Sequence, residues 1–246
     1  MALGLFGGAM AVADGLPATV AEVKESIVAV GTFQRTAKAP ARFLGTGFAV
    51  REGHHVLTNF HLLPEGSPGQ GQGKLAVFSR RGKRVRTRKA EVVAKAPRYD
   101  LALLRIPGRA LPPLPLNGRE KVREGERLAF TGFPIGMALG LHPVTHRGIV
   151  SAVTPIATPV SNARQLDPRM IERLQEPYVV YQLDATAYPG NSGSPLYSPG
   201  SGQVVGVINK VFVKETKESV LQKPSGITYA IPISRALPLL EKVGRK

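Results

Sequence analysis

Strand-length apolar runs, cut every few residues by glycine or proline, dominate this 246-residue chain, which holds 27 glycines and 21 prolines. Gly47-Phe48-Ala49-Val50, His55-Val56-Leu57-Thr58, Lys74-Leu75-Ala76-Val77-Phe78 and Leu101 to Ile106 each read as a short strand. Many short strands with turn residues between them fit an all-β fold. Residues 31–117 are expected to form a first barrel and residues 121–232 a second. The proline-rich run Leu111-Pro112-Pro113-Leu114-Pro115 would be the extended connector. Helical spacing occurs at Thr19 to Val30, where Val20, Val23 and Ile27 share a face leading into a strand, and at Arg235 to Val243. Pro64 to Gly73 is loop-like and lacks the Gly-Lys-Ser/Thr ending of a phosphate-binding loop, since Leu75 follows Lys74. The segment 163–176 carries Met170, Ile171 and Leu174 at helical spacing, opened by Asp167-Pro168 and stopped by Pro177. It reads as a capping helix packed on the barrel. With 43% hydrophobic residues, the chain can bury a sizeable core as one unit of two halves.

The chain has no cysteine, so disulfides and thiol chemistry are excluded. Residues 1–13 are apolar and uncharged, and Ala11-Val12-Ala13 has the small-x-small form of an export cleavage site, although a basic start is missing. They are expected to be a signal-peptide remnant, with 14–246 the domain proper and its location periplasmic or secreted. No stretch approaches the roughly 20 apolar residues of a spanning helix. Net charge is +16. From Lys74 to Arg98 there are ten basic residues and one acid, Glu91. Arg84, Arg86 and Arg88 alternate with Val85 and Thr87, which puts the arginines on one side of a strand. The pattern fits a solvated hairpin face, or a patch for a polyanion or anionic surface. No aromatics interleave it, which weakens a single-stranded nucleic-acid reading.

The chemistry-bearing segment is Gly190-Asn191-Ser192-Gly193-Ser194-Pro195. It sets a serine between glycines on a tight turn, as a nucleophile facing free backbone N–H groups would require. The same residues also make ordinary β-turns. A serine needs a base, and the base needs an orienting carboxylate. Of five histidines, only His61 follows a strand-like run, Val56 to Phe60. His54 and His55 follow the turn Arg51-Glu52-Gly53, and His142 and His146 flank Pro143. Asp100 opens the apolar run Leu101 to Ile106, where a buried acid would need a partner. Asp184 is a rival, close to the serine in sequence.

Together, Thr58-Asn59-Phe60-His61, Tyr99-Asp100-Leu101-Ala102-Leu103-Leu104 and Gly190 to Pro195 follow the chain order His, Asp, Ser. Gly132-Phe133-Pro134-Ile135-Gly136, Arg147-Gly148-Ile149-Val150-Ser151-Ala152, Gln182-Leu183-Asp184-Ala185, Gly206-Val207-Ile208-Asn209 and Thr228-Tyr229-Ala230-Ile231-Pro232 extend the match over about 16–234. The chain resembles the trypsin-like serine peptidases, most closely the bacterial HtrA/Deg protease domain. Ser194 stands where that domain carries glycine, and a domain lacking a PDZ module is expected. The resemblance implies two six-stranded antiparallel Greek-key barrels of the chymotrypsin type, with short terminal helices. It implies peptide hydrolysis by His61, Asp100 and Ser192, an oxyanion hole at Gly190 and Ser192, and no metal or cofactor. The position that carries aspartate in trypsin is Thr186. With Asn209, Lys210 and Val211 as the neighbouring pocket edge, cleavage after small or medium uncharged residues is expected. Protein or peptide substrates are the implied partners, and HtrA-type domains often form oligomers. The resemblance also implies that 163–176 corresponds to a region of regulatory loops, the alternative to a capping helix. The alternative is a catalytically silent or conditionally active protease-fold protein that binds anions through its basic surface.

Overall fold

The computed structural model describes residues 15–64, 73–82, 84–118, 121–134, 140–156, 177–209 and 227–243. Helix α1 spans Leu16–Ser26, with Pro17 in its first turn. It ends where the run Ile27-Val28-Ala29-Val30 begins, because β-branched residues fit a pleated strand better than a helix. The helical spacing read to Val30 is therefore corrected: β1 is Ile27–Phe33, and the first sheet starts four residues before residue 31.

The first half continues with β2 (Ala41–Val50), β3 (His55–Asn59), β4 (Lys74–Arg81), β5 (Arg84–Lys89), β6 (Glu91–Ala96) and β7 (Leu101–Arg105). These form a seven-stranded sheet in the order β5-β4-β1-β2-β3-β7-β6, every pairing antiparallel. The expected count for this half was six; the extra strand comes from β5 and β6 flanking Ala90 and pairing with different neighbours. The second half holds β8 (Arg127–Gly132), β9 (Val144–Pro155), β10 (Val179–Asp184), β11 (Pro195–Tyr197), β12 (Val204–Asn209) and β13 (Ile227–Pro232). These close into a barrel in the order β10-β13-β12-β11-β8-β9. The all-β, chymotrypsin-like double-barrel class holds, with α1 and a C-terminal helix α2 (Leu237–Val243) at the ends.

The central strands are buried on both faces, and successive residues join different clusters with the strand period of two, as Ile27 and Ala29 do against Val28 and Val30. Phe130, Leu183, Leu196, Ile208 and Ala230 fill the second barrel. Val28, Val30, Ala49, Val56, Val77 and Leu104 pack one face of the first sheet. A third cluster joins the halves: Phe48, Leu57, Leu101 and Leu103 from the first meet Phe133, Tyr197, Val207 and Ile231 from the second, with Leu239 and Leu240 of α2. The proline-rich connector is stitched to both sides. Leu111 and Leu114 N–H donate to Gly53 and Ala49 carbonyls, and the Pro115 carbonyl accepts from Val204.

Leu103 is fully buried in the joining cluster. Leu103→Ala is expected to lower unfolding free energy by about 2–5 kcal/mol, from lost transfer energy plus cavity, as measured by urea denaturation.

Candidate active site

His61 lies in the single 3-10 turn Phe60–Leu62 that ends β3. Asp100 sits between the 3-10 turn Pro97–Tyr99 and β7, in the left-handed region with φ 52°. That conformation is uncommon for a residue with a Cβ, and aspartate is among those that tolerate it. It lets the backbone and the carboxylate of Asp100 face the same turn. The Asp100 carbonyl accepts from Phe60 N–H and from Asn59 Nδ2, each at 3.0 Å. Its carboxylate accepts from His61 N–H at 2.8 Å on Oδ1. On Oδ2 it meets His61 Nδ1 at 2.6 Å and Asn209 Nδ2 at 2.7 Å. Asp100 is 4% exposed and Asn209 fully buried. With Nδ1–H donated to the carboxylate, the neutral imidazole carries its lone pair on Nε2.

Ser192 arrives from the second half, on the loop that enters β11. Tyr188 to Asn191 form a turn in which Asn191 N–H donates to the Tyr188 carbonyl at 3.0 Å. Pro189 takes its second position and Gly190, at φ 100°, its third, the arrangement of a type II turn. Gly193 N–H donates to the Ile208 carbonyl and Ser194 N–H to the Asn191 carbonyl. Among the described residues, the N–H groups of Gly190 and Ser192 donate to no backbone carbonyl. The turn is seated on β2: the Ser192 carbonyl accepts from Thr46 N–H at 2.8 Å, and the Gly190 carbonyl from Thr46 Oγ1 at 2.7 Å. Glycine is required at that seat. A Cβ on Gly193, at φ 85°, would lie 2.0 Å from the Thr46 carbonyl oxygen. A Cβ on Gly45 would meet Leu62 Cδ1 at 2.5 Å and the Ser192 carbonyl at 3.0 Å. Leu62 follows His61, so β2 holds the serine turn beside the histidine turn.

The other candidates fall elsewhere. His55 is buried and pairs with Glu52 at 2.5 Å, while His142 is exposed beside Arg80. Asp184 is exposed at the end of β10, in register with Ile149 and Ile227. Thr186 is half-buried just beyond that strand. Asn209, expected on the edge of a specificity pocket, is fully buried at the end of β12, where its Nδ2 donates to the Asp100 carboxylate. Lys210, Val211, the 163–176 segment and residues 1–13 lie outside the described residues. Thr46 and Asn59 were missed. Nothing local marks Thr46 except its flanking Gly45 and Gly47, and Asn59 passes as a strand residue until its amide meets the Asp100 carbonyl.

Residues 45–207 match the trypsin-like peptidase domain family. Among curated proteins, "Probable periplasmic serine endoprotease DegP-like" proteins of Halomonas elongata and Pseudomonas putida are 30% and 32% identical. The matches cover 82% and 83% of this chain but 35% and 36% of those proteins. The chain thus spans about a third of the length of these relatives. Among solved structures, the serine endoprotease of Yersinia pestis aligns with TM-score 0.64 at 22% identity, over 94% of this chain and 67% of that one. An inactive form of a Mycobacterium tuberculosis protein aligns with TM-score 0.62 at 21% identity, over 92% and 90%. Both show the shared fold. The class defined here is the double-barrel proteins of chymotrypsin-like fold. The chain belongs to the trypsin-like peptidase family within it. Among the described residues no helix is long and apolar enough to cross a membrane.

His146 of β9 stacks on Phe130, centroids 4.9 Å apart, and faces Tyr188 at 6.1 Å. Burial pushes its pKa below the ordinary 6.5. The folded state therefore binds its proton less readily than the unfolded chain. Its stabilising effect is complete above pH 6.5 and is lost as pH falls through 6.5 toward the lowered folded value. Unfolding midpoints measured from pH 8 to pH 5 should fall on the acid side, and His146→Phe should flatten that part of the decline.

Proposed function

We propose that this domain hydrolyses peptide bonds as a serine endopeptidase, with Ser192 as nucleophile, His61 as base and Asp100 as orienting carboxylate. Ser192 Oγ attacks the scissile carbonyl while His61 Nε2 takes its proton. The oxygen, now negative, is held by the N–H groups of Gly190 and Ser192. His61 then protonates the leaving amine, and the acyl group stays on Ser192. Water, deprotonated by His61, hydrolyses that ester and returns the proton to Ser192. Asp100 remains anionic and stabilises the imidazolium. The observation that carries this reading is the Asp100 carboxylate bonded to His61 through both ring and backbone, and to Asn209 from the other half. The two undonated N–H groups flanking Asn191 support the oxyanion assignment. Thr186 leaves the position that would select lysine or arginine uncharged, so cleavage after small or medium uncharged residues follows. The names of the relatives support a periplasmic or secreted location.

A fluorophosphonate probe is expected to label the protein at pH 8 and to leave Ser192→Ala unlabelled. A peptide library should then show cleavage after uncharged side chains. A folded protein that resists the probe would favour the silent or conditionally active alternative, and a profile dominated by cleavage after lysine or arginine would overturn the specificity.

A second reading concerns the surface. In β5, pairing of Arg86 with Ser79 and Arg88 with Val77 sets Arg84, Arg86 and Arg88 on one face of an edge strand. Arg84 and Arg86 are exposed, and Arg88 Nη1 donates to the Arg109 carbonyl at 2.7 Å. We propose that this face binds polyanions, without replacing the peptidase reading. The triple change of Arg84, Arg86 and Arg88 to Glu should elute from heparin at lower salt than the parent; unchanged elution would refute the patch.

A further inference from the structure

We infer that Thr46 is the positioning residue that sets the oxyanion hole, holding the serine turn from the opposite half of the molecule. This rests on the peptidase reading of the same site. Four consecutive peptide groups run from Pro189 to Gly193, and they alternate in how they are held. The Gly190–Asn191 peptide is bonded at both ends: its N–H to the Tyr188 carbonyl, its C=O to Thr46 Oγ1 at 2.7 Å. The Ser192–Gly193 peptide is also bonded at both ends: its N–H to the Ile208 carbonyl, its C=O to Thr46 N–H at 2.8 Å. The Pro189–Gly190 and Asn191–Ser192 peptides, which carry the proposed oxyanion donors, make no N–H bond to backbone among the described residues, although the Asn191 carbonyl accepts from Ser194 N–H at 3.0 Å. The doubly bonded peptides on either side leave the donor peptides little freedom to rotate, least of all Asn191–Ser192; Pro189–Gly190 depends most on the hold at Gly190. Both carbonyl anchors on the first half come from this one residue.

Thr46 is itself held from several sides. Its hydroxyl accepts from Phe133 N–H of the second half at 3.0 Å, which directs the hydroxyl proton to Gly190. Its carbonyl accepts from Thr58 Oγ1 at 2.7 Å. It is fully buried, and Gly132 opposite supplies the room: a Cβ there would lie 2.9 Å from Thr46 Oγ1 and 2.0 Å from Ser194 Oγ. A hydroxyl that donates to one segment of the second half and accepts from another is geometrically specified, beyond what filling the space would need. Without it, the Gly190 carbonyl loses its partner and the Gly190–Asn191 peptide is held only through its N–H to the Tyr188 carbonyl. Gly190 is then less constrained, and the adjoining Pro189–Gly190 peptide, whose N–H is the proposed oxyanion donor and makes no backbone bond among the described residues, can reorient away from the developing charge.

Valine matches threonine in shape and lacks the hydroxyl. Thr46→Val is expected to lower kcat by about 10- to 100-fold, the scale of small misplacements at a reacting centre, with KM changed less than about twofold. The affinity of a peptide aldehyde, whose adduct carries the oxyanion, should fall in proportion. Thr46→Ser should restore both. Amide exchange measured by mass spectrometry should quicken in the peptide containing 188–195 in Thr46→Val and not in Thr46→Ser. Should the valine variant fail to fold, Thr46→Ala gives the same readouts, since it keeps the backbone donor and loses the hydroxyl. Unchanged kcat with unchanged exchange, or a loss that serine does not rescue, would overturn the assignment. Failure of the parent protein to react with a fluorophosphonate would instead sink the peptidase reading, and the exchange comparison would still decide the role of Thr46 in the turn.

Discussion

The Asp100 carboxylate is the point on which the site is hung. Three N–H donors converge on it, two from the turn after β3 and one from the end of β12. Removing a carboxylate from water costs several kcal/mol unless hydrogen bonds replace its hydration. That cost makes the arrangement specific. The halves can pack only where Asn209 reaches Asp100 and the His61 turn closes over the other oxygen. The left-handed backbone at Asp100 is part of the same constraint, because it lets the carbonyl bind Phe60 and Asn59 while the side chain binds His61.

Thr46 does for the serine turn what Asp100 does for the histidine turn. Each is a polar residue of the first half, buried, and bonded into the second. Between them, β2 and β3 lie adjacent in the sheet, so Gly47 pairs with Thr58 and the two anchors are held at fixed separation. The glycines at 45, 132 and 193 are where the halves come too close for a side chain. The apolar cluster of Phe48, Leu57, Leu101, Phe133 and Val207 backs this polar seam and supplies the burial that makes its hydrogen bonds matter.

Much of this was legible in the residues. The short strands and their Gly and Pro breaks carried the all-β fold, and the segments around His61, Asp100 and Ser192 carried the family. Boundaries were weaker: Ile27 to Val30 satisfies both a helical spacing and a strand, and only pairing with β2 and β4 decides it. Asn209 and Thr46 illustrate the other limit. A buried asparagine or threonine at a strand end has no local signature, because its role is set by a partner 109 or 144 residues away. The pairing of β5 and β6 with different strands, which adds a seventh strand to the first sheet, is likewise a long-range property.

The most direct test of this account is a crystal structure of the protein after reaction with a fluorophosphonate. The account predicts a covalent bond to Ser192 Oγ, with the phosphonyl oxygen about 3 Å from both Gly190 N and Ser192 N and His61 still bonded to Asp100. Attachment to another residue, or a phosphonyl oxygen turned to solvent with the Gly190 peptide rotated, would contradict it.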